Sequence, residues 1–571
     1  MQGASSADRL LCAHCQGHGK LACKGCLLVL YCGADCQKAH WGVHKADCKS
    51  PLIKDTWKPQ WDLEDRQPAF IGGSGQKVFG GTKFFWGNVP AIDVLCMARN
   101  EGAGYDKDVR LLFAASGDAR NVIKTITSMP KDHGETVHTR INDRDFDIVA
   151  RNAIILLIAL TIEDISQAVE CMIHVRWTWM DMDVLRDRIR PLIEDVCTKV
   201  AGKTSGTMLG KTWTFGKASL RLVLTKEQWP ALLAYFETPE DLSPERAQRI
   251  RTNVTLADSR RDYRERRMIG QVPAHRVCHN RFRDDGILLL FGHHRNPHIA
   301  PNPTIYQTAD WPMKDSADPL DGWALEDVLR VDTGPATNDV YGKLFYYLKE
   351  LFSSFHGRLS ALKVSFELSN HAAEELHNNL KTGAFARIEA ANISDAGYLG
   401  CARTVASLGP LLESTNPHAT LLTLFMNAVD EMCSSTELAA STRTELTGLM
   451  KYLPLVGVPP RSVNDSRAIL MNFSRPIVRD VDKYFDRHVS ITALGLLLTL
   501  TSCRYMEGHN FKAVEQYFDM RIKNPHTIIE KWPIALKLRP GQKGAQEEFN
   551  LLLSSSHTGN ERRGGTDSVV I

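Results

Sequence analysis

Eight cysteine and histidine side chains near the start of the chain have the types and spacing of metal ligands. Thiolates and imidazoles are donors that Zn²⁺ prefers, and eight of them suffice for two tetrahedral sites. Four form two C-x2-C pairs, and the other four form two pairs spaced i, i+4, which places both donors of such a pair on one helix face. Each predicted site has four protein donors and no open position, so both zinc ions are predicted to be structural. The eight residues are Cys12, Cys15, Cys23, Cys26, Cys32, Cys36, His44 and Cys48.

Two alternatives concern this cluster. A disulfide framework would need an oxidising compartment, but the opening residues MQGASSADRL show no basic segment followed by an apolar one, so no secretory signal is predicted. Clustered cysteines without such a signal indicate metal binding and an intracellular protein, cytoplasmic or nuclear. His40 is a rival ligand, since it lies four residues from both Cys36 and His44. His44 is preferred because its spacing to Cys48 repeats that of the preceding cysteine pair.

The complete motif over residues 12–48 resembles the MYND zinc finger. It is C-x2-C-x7-C-x2-C-x5-C-x3-C-Q-x3-W-x2-H-K-x2-C. The resemblance implies that the finger binds a short proline-containing peptide of another protein, and that Gln37 and Trp41 line the groove. Metal binding would supply most of the free energy that folds so small a module. The resemblance also implies two interleaved ligand sets: Cys12, Cys15, Cys32 and Cys36 for one zinc ion, and Cys23, Cys26, His44 and Cys48 for the other.

The remainder of the chain has the composition of an ordinary globular protein. Of its 571 residues 43% are hydrophobic and 24% charged, and the net charge of +3 argues neither for nor against nucleic acid. The longest apolar runs, Ala153–Ile162 and Ala493–Leu500, are too short to span a bilayer and are predicted to lie in the core, so no membrane partner is expected. The predicted units are the finger (1–50), a linker that docks onto the α/β domain (51–80), the first part of that α/β domain (81–165), a mostly helical insertion (166–380), the second part of the α/β domain (381–540) and a disordered tail (541–571).

The first part of the α/β domain has the pattern of a nucleotide-binding unit. Asp108–Ala114 is a predicted buried strand, a tight loop of small residues ends at Asp118, and Ala119–Thr127 has helical spacing. A second strand, Thr136–Ile141, is closed by Asn142 and Asp143. An acid at the end of the second strand is where such folds hold a ribose.

The second part continues the alternation of strands and helices. Phe385–Asn392 and Ala419–Met426 are predicted strands, with a helix between them from Tyr398 to about Leu412. Such alternation predicts a parallel, doubly wound sheet. Right-handed crossovers would place Gly117, Asp143 and Asn392 near its carboxyl edge.

Two segments of the predicted insertion raise further possibilities. The helix RRDYRERRM, Arg260 to Met268, is rich in arginine, but its acidic residues favour a solvated helix face over a nucleic-acid arm. The segment that holds His293, His294 and His298 contains several prolines and no thiol or carboxylate at ligand spacing. An extended loop is therefore predicted there in preference to a metal site.

A second resemblance concerns residues 80–540. The stretches WGNVPAIDVL, DVRLLFAASGDARNVIKTI and FDIVARNAIILLIAL resemble an uncharacterised domain that follows MYND fingers in many fungal proteins and is similar to the N-terminal part of dynein axonemal assembly factors. This implies a Rossmann-like sheet similar to that of S-adenosylmethionine-dependent methyltransferases. In that setting Ser116, Gly117 and Asp118 would lie at the methionine end of S-adenosylmethionine, Asp143 on its ribose, and Asn392 and Asp395 by the methyl acceptor.

The chain departs from the methyltransferase pattern in two places. Its loop, Ala-Ala-Ser-Gly-Asp, has one glycine where G-x-G-x-G lets the backbone approach the ligand. The segment at Asn392 has no Pro-Pro-Tyr or comparable acceptor clamp, and both aspartates of the first part could simply cap helices. The Asn-His-Ser-Cys signature of SET-domain methyltransferases is not found; Asn370-His371 continues into Ala-Ala.

The sequence therefore supports two functions of different classes. The first is an adapter protein, whose finger recruits a proline-containing partner and whose Rossmann-like body is a scaffold. The second is a methyltransferase that its finger targets to a substrate. Because a fold does not fix a function, the first is preferred.

Overall fold

The computed structural model describes residues 10–71, 79–295, 300–427, 429, 432–453, 460–480, 482, 484, 520, 521, 523–531, 534–555 and 567–570. The predicted core run Ala493–Leu500 and His298 lie outside these residues. The strands are β1 (Leu21–Ala22), β2 (Leu30–Tyr31), β3 (Val109–Phe113), β4 (Thr136–Asn142), β5 (Trp179–Met180), β6 (Met208–Phe215), β7 (Ala218–Thr225), β8 (Ala300–Pro301), β9 (Lys363–Ser369), β10 (Arg387–Glu389), β11 (Thr420–Phe425) and β12 (Asp567–Val570).

Helices surround these strands. The α-helices are α1 (Ala34–Cys48), α2 (Gln60–Leu63), α3 (Arg120–Ser128), α4 (Phe146–Thr161), α5 (Ile165–Val175), α6 (Arg190–Val200), α7 (Gln228–Ala231), α8 (Pro244–Thr255), α9 (Arg261–Met268), α10 (Pro273–Asp285), α11 (Leu325–Leu329), α12 (Val340–Ala361), α13 (Leu376–Asn379) and α14 (Cys401–Leu408), followed by Ser435–Leu449, Ser466–Ser474 and Ala545–Ser554.

An eight-stranded sheet forms the centre of the α/β body. Its order is β12-β11-β10-β3-β4-β9-β7-β6. The six strands from β11 to β7 run parallel, and only the two edge strands are antiparallel to their neighbours. Helix α4 is buried along most of its length against this sheet, as its apolar sequence requires. The prediction of a large α/β domain with a mostly parallel sheet is confirmed.

The segment predicted as a mostly helical insertion supplies three strands of this sheet. β6 and β7 form a hairpin that turns at Phe215–Ala218, and β9 inserts between β7 and β4. The prediction is wrong at this point because a strand's place in a sheet depends on partners far along the chain. Residues 166–380 therefore extend the sheet and also cover it with helices.

The direction in which the chain builds the sheet reverses beside β3. From β3 the chain adds β4 and β9 on one side, and later returns to add β10 and β11 on the other. At such a reversal the loops after two neighbouring strands diverge and leave a crevice at the carboxyl edge of the sheet. The loops after β3, β4 and β10 all meet there.

The finger packs against the body and shares its hydrophobic core. One continuous cluster of buried residues includes Cys26 and Val29 of the finger and Leu111 and Ile141 of the sheet. The Asn338 side chain donates a hydrogen bond to the carbonyl of Cys26 at 3.0 Å, and the Asn338 N–H donates to the Leu27 carbonyl at 3.1 Å. The finger is thus attached to the body by packing as well as by the chain.

The end of the chain contains secondary structure where the composition predicts a disordered tail. Helix Ala545–Ser554 buries Phe549, whose ring stacks on Tyr452 with centroids 5.1 Å apart. Strand β12 pairs with β11. Residues 545–554 depart from that prediction, because their apolar side chains pack with Leu449, Tyr452 and Ile477, which local composition does not show.

Candidate metal centres and a cavity at the sheet edge

The finger's two cysteine knuckles and helix α1 position the predicted metal donors. Each knuckle turns sharply, and the residue after its second cysteine, Gln16 in one and Leu27 in the other, has a left-handed backbone with φ of 56° and 57°. The hairpin of β1 and β2 holds the knuckles together. Helix α1 carries His44 and Cys48 on one face, because they are four residues apart.

The structure brings the eight predicted donors into two groups of four. Within each group the donor atoms all lie within 4.8 Å of one another. The sulfur atoms of Cys15 and Cys32 are 3.8 Å apart, and those of Cys23 and Cys48 are 3.7 Å apart. A tetrahedral zinc ion with Zn–S bonds of about 2.3 Å separates its sulfur ligands by about 3.8 Å. The donors therefore fit zinc, and these distances are too long for disulfides. The groups are Cys12, Cys15, Cys32 and Cys36, and Cys23, Cys26, His44 and Cys48.

His40, the rival ligand, lies outside both groups. Its Nδ1 is 3.0 Å from the hydroxyl of Tyr31, and its ring stacks on that of His44 with centroids 5.8 Å apart. His44 is buried, and its Nε2 lies 3.4 Å from the sulfur of Cys26. The structure thus places His44 among the donors and His40 behind it as a packing partner.

Gln37 and Trp41 lie one turn apart on α1, and both are half-buried. The Trp41 ring packs edge-on against His44, with centroids 6.2 Å apart, and Lys49 lies over its face at 5.8 Å. Trp41 therefore keeps part of its ring at the surface while its edge is fixed by a residue of the donor group.

Asp143, the residue that follows β4, holds the loop after β3. Asp143 Oδ2 accepts a hydrogen bond from the Gly117 N–H at 2.9 Å, and Oδ1 accepts one from Asp145 N–H, also at 2.9 Å. Gly117 has φ of +53°, and its carbonyl accepts from the Asn152 side chain at 2.8 Å. Burial raises the pKa of Asp143. Ser116, Gly117 and Asp143 thus lie together, as predicted, with the loop fixed by the carboxylate.

Asp118 faces two arginines. Its Oδ1 is 2.5 Å from Arg120 Nε, and its Oδ2 is 2.5 Å from Arg176. Although burial alone would raise it, these guanidinium groups hold the pKa of Asp118 below its usual value. Both carboxylate oxygens of Asp118 form ion pairs, so Asp118 fixes its end of the loop to two buried arginines.

A cavity of about 850 Å³ opens at the sheet's carboxyl edge, where the winding direction reverses. Its lining includes Ser116, Gly117, Asp143 and Asn392, four of the residues predicted to meet there. This volume is typical of a site for a small organic molecule. The sequence prediction missed the residue in its floor that stands out most, Glu389.

Glu389 ends β10 and is only 2% exposed. Burial raises its pKa to about 7; the Ala391 N–H and Arg120 act against this rise, and Asp143 adds to it. A glutamate within the predicted strand Phe385–Asn392 was the available signal, because acidic side chains are rarely buried without a partner.

The two residues predicted at the methyl acceptor differ in setting. Asn392 lines the cavity. Asp395 is fully buried, and its Oδ1 accepts hydrogen bonds from the Met426 and Asn427 N–H groups at 3.0 and 3.2 Å. Asp395 therefore fixes the chain where it leaves β11.

The arginine-rich helix α9 faces the interior. Arg260 pairs with buried Asp315 at 2.7 Å, and Arg267 pairs with Asp321 at 2.8 Å. The buried Arg266 lies over the rings of Phe70 and Phe473, at 5.0 and 4.8 Å. The prediction of a solvated helix face is wrong, because acidic and aromatic residues far along the chain enclose these arginines.

His293 and His294 belong to neither metal-donor group. Within the described residues, cysteine, histidine and acidic side chains come within ligand distance of one another in groups of three or more only in the finger. No helix within the described residues is both long and apolar enough to cross a membrane.

Comparisons with known proteins identify two segments. Residues 12–48 match the MYND finger, a zinc-binding module of protein–protein interaction. Residues 85–180, which contain β3 to β5, match a domain of unknown function (DUF4470). The chain is also similar to dynein axonemal assembly factor 3 of Danio rerio, with 30% identity over 80 residues, which is 14% of this chain and only 16% of that protein. No solved structure matches the chain.

Proposed function

We propose that this protein is an adapter, whose finger recruits a proline-containing segment of a partner while the α/β body serves as the scaffold. The geometry of the finger supports this most directly. Each donor group has four protein ligands, which leaves no coordination position for a substrate and suits a structural zinc ion. On the same module, Gln37 and the half-exposed ring of Trp41 form a neighbouring pair suited to packing against a proline ring.

The rigid attachment of the finger supports the scaffold role. Asp47, at the end of α1, forms an ion pair with Arg281 of α10 at 2.9 Å, in addition to the bonds made by Asn338. A partner bound to the finger would therefore be held at a fixed orientation to the body. The similarity to a protein named as an assembly factor agrees with such a role.

The ligand assignment is tested by metal analysis of two matched variants. His44→Ala removes one of four donors from one group, so the zinc content of the purified protein should fall from two to about one per chain. His40→Ala removes the stacked neighbour and should leave two. Two zinc ions in His44→Ala would show that the assignment is wrong.

Peptide recruitment is tested by capture on an immobilised panel of proline-rich peptides. Trp41→Ala should retain two zinc ions and lose capture, because the ring supplies contact area without serving as a ligand. Val43→Ala, at a side chain 71% exposed on the same helix, is the matched control and should capture as the unmodified protein does. Equal capture by both variants would refute the assigned peptide surface.

A second candidate function is methyl transfer from S-adenosylmethionine. The observation that favours it is the cavity at the winding reversal, with Ser116, Gly117 and Asp143 in its lining. Asp143 would accept hydrogen bonds from the ribose hydroxyls, the N–H groups near Ser116 would face the amino-acid end, and Asn392 would lie toward the acceptor. The cofactor, when bound, would supply the transferred methyl group. Asp118 would contribute by fixing the loop.

Calorimetry of the full chain with S-adenosylmethionine tests this candidate. Micromolar binding that Asp143→Ala abolishes would support it. If no heat is measured at millimolar S-adenosylmethionine, the candidate is refuted and the adapter proposal is unaffected.

A further inference from the structure

The floor of the sheet-edge cavity contains a carboxyl group with one oxygen unmatched. Glu389 Oε1 accepts a hydrogen bond from the Ala391 N–H at 2.9 Å. Among the described residues, no group completes a hydrogen bond of ordinary geometry to Oε2, although this atom is buried and the nearby Asn121 side chain acts to lower the pKa of Glu389. Buried polar atoms nearly always have a partner, and an unmatched one destabilises the fold. Such an atom in a cavity lining marks the place where a ligand atom would be stabilised.

Two of the cations that line this cavity are held by other groups. Arg120 is paired with Asp118 and also donates to the carbonyls of Val89 and Gly322. Lys83, on the opposite wall, is paired with Asp145 and Asp147. Asp118 also pairs with Arg176, so these two sets of ion pairs together carry as many positive as negative charges, and Glu389 and Asp143 add acidic groups to the depth of the cavity.

Apolar side chains form part of the walls above this floor. Ile92, Ile393 and Leu424 contribute to them, and the aromatic ring of Tyr398, about half exposed, stands among the outer lining residues. An apolar wall over an acidic floor suits a molecule with an apolar body and a cationic head. Metal is a poor match, because within the described residues no third group of donors converges there.

We propose that this cavity binds a small organic cation, whose positively charged nitrogen or comparable group is paired with Glu389 Oε2 and whose apolar body lies along the isoleucine and leucine side chains. The proposal concerns a binding site and does not depend on methyl transfer. It requires only the cavity and the unmatched oxygen.

The ionisation of Glu389 makes this binding dependent on pH. Its pKa of about 7 means that the ionised fraction rises about tenfold from pH 6 to pH 8, while an alkylamine stays protonated over this range. The affinity of the cavity for the cation should therefore rise by up to about tenfold from pH 6 to pH 8.

Other charges lie near Glu389, and two of them, Arg120 and Asp143, act on its pKa in opposite directions. Of the elements packed against β10, β11 has no charged residue and β3 has only Arg110, which points to solvent near the opposite end of the strand. Helix α3 brings Arg120 and Lys124, and the β4 loop brings Asp143. Across the cavity lie the Lys83 ion pairs already described, and its lining also includes Arg144, Glu374 and Arg403.

Saturation-transfer NMR on the full chain tests the proposal with phenethylamine and its neutral counterpart 2-phenylethanol. The amine should bind more tightly than the alcohol at pH 8, and its affinity should fall about tenfold at pH 6. Glu389→Gln keeps the shape of the side chain and removes its charge, so it should abolish both the preference for the amine and the pH dependence. Glu375→Gln, at an exposed residue outside the cavity lining, should retain both.

Two results would overturn the proposal. One is equal binding of amine and alcohol, or no binding of either at millimolar concentration. The other is an unchanged pH profile in Glu389→Gln, provided that its thermal unfolding matches that of the unmodified protein. Because neither probe contains a nucleoside, failure here is separate from failure of the S-adenosylmethionine test.

Discussion

Replacing Asp118 by asparagine should destabilise the body strongly, because it leaves two buried arginines without their shared counter-ion. Arg176 is 2% exposed, and Arg120 is also buried. Removing one partner of a buried ion pair costs about 3–5 kcal/mol, since the remaining charge stays in the core. With a urea m-value of about 3 kcal/mol per M, the midpoint of unfolding should fall by about 1–1.7 M.

Tryptophan fluorescence during urea unfolding measures this change, and two of the chain's 11 tryptophans lie beside Arg176. The indole N–H of Trp86 donates to the Arg176 carbonyl at 2.5 Å, and Trp323 lies beneath the Arg176 guanidinium at 5.7 Å. Asp327→Asn is the matched control, because Asp327 pairs with Arg330 at an exposed site where the loss should stay below about 1 kcal/mol. If the two variants unfold at the same urea concentration, the ion pairs of Asp118 do not stabilise the fold as argued.

The pH dependence of this effect has a fixed sign. The pKa of Asp118 is held below its usual value, so its contribution to stability is complete above the unfolded value of about 3.9 and is lost as the pH falls through the lower folded value. The difference in stability between Asp118→Asn and the unmodified protein should therefore be constant near neutral pH and shrink at strongly acidic pH.

Three further predictions concern other side chains. Arg266→Gln should lower the free energy of unfolding by about 2 kcal/mol, because the rings of Phe70 and Phe473 lose the guanidinium that packs on them. Arg261→Gln, at an exposed residue, should change it by less than about 0.5 kcal/mol in the same urea assay. Asn142→Ala should cost about 2–4 kcal/mol by thermal unfolding, since the side chain donates to the carbonyls of Ala114 and His371 and so ties the end of β4 to its neighbours. Asn338→Ala should weaken the attachment of the finger to the body by about 1 kcal/mol, because the bond to the Cys26 carbonyl is lost. Trypsin should then cut the segment just after α1 about fivefold faster, with zinc content unchanged. An unchanged cleavage rate would contradict the proposed attachment.

The finger was predictable from the sequence because its chemistry is local. The donor types and their spacing fix which side chains can share a helix face or a knuckle, and the whole motif spans residues 12–48. The strands at Val109–Phe113 and Thr420–Phe425 were predictable for a related reason, since each is a short run of mostly buried residues between polar loops. Thr136–Asn142 was predictable from its alternation, which the structure shows as half-buried and buried residues in turn.

The features that were missed depend on contacts between distant parts of the chain. The hairpin of β6 and β7 alternates in sequence around Gly216, a recognisable turn signal, but its place in the central sheet depends on β9, more than a hundred residues later. The burial of Glu389 and of the α9 arginines likewise results from tertiary packing. Local periodicity does not show which distant residues enclose these side chains.

The position of β10 has a consequence for how the protein is made. β3 pairs with β10, which lies roughly 280 residues later in the chain, and the cavity is formed between their loops. At about 5–20 residues per second, the ribosome needs about a quarter of a minute or longer to deliver the second strand. Until then one edge of β3 lacks its native partner, with unpaired backbone groups that could join a strand of another chain. Nascent chains that stall before residue 387 should therefore associate with one another or require a chaperone.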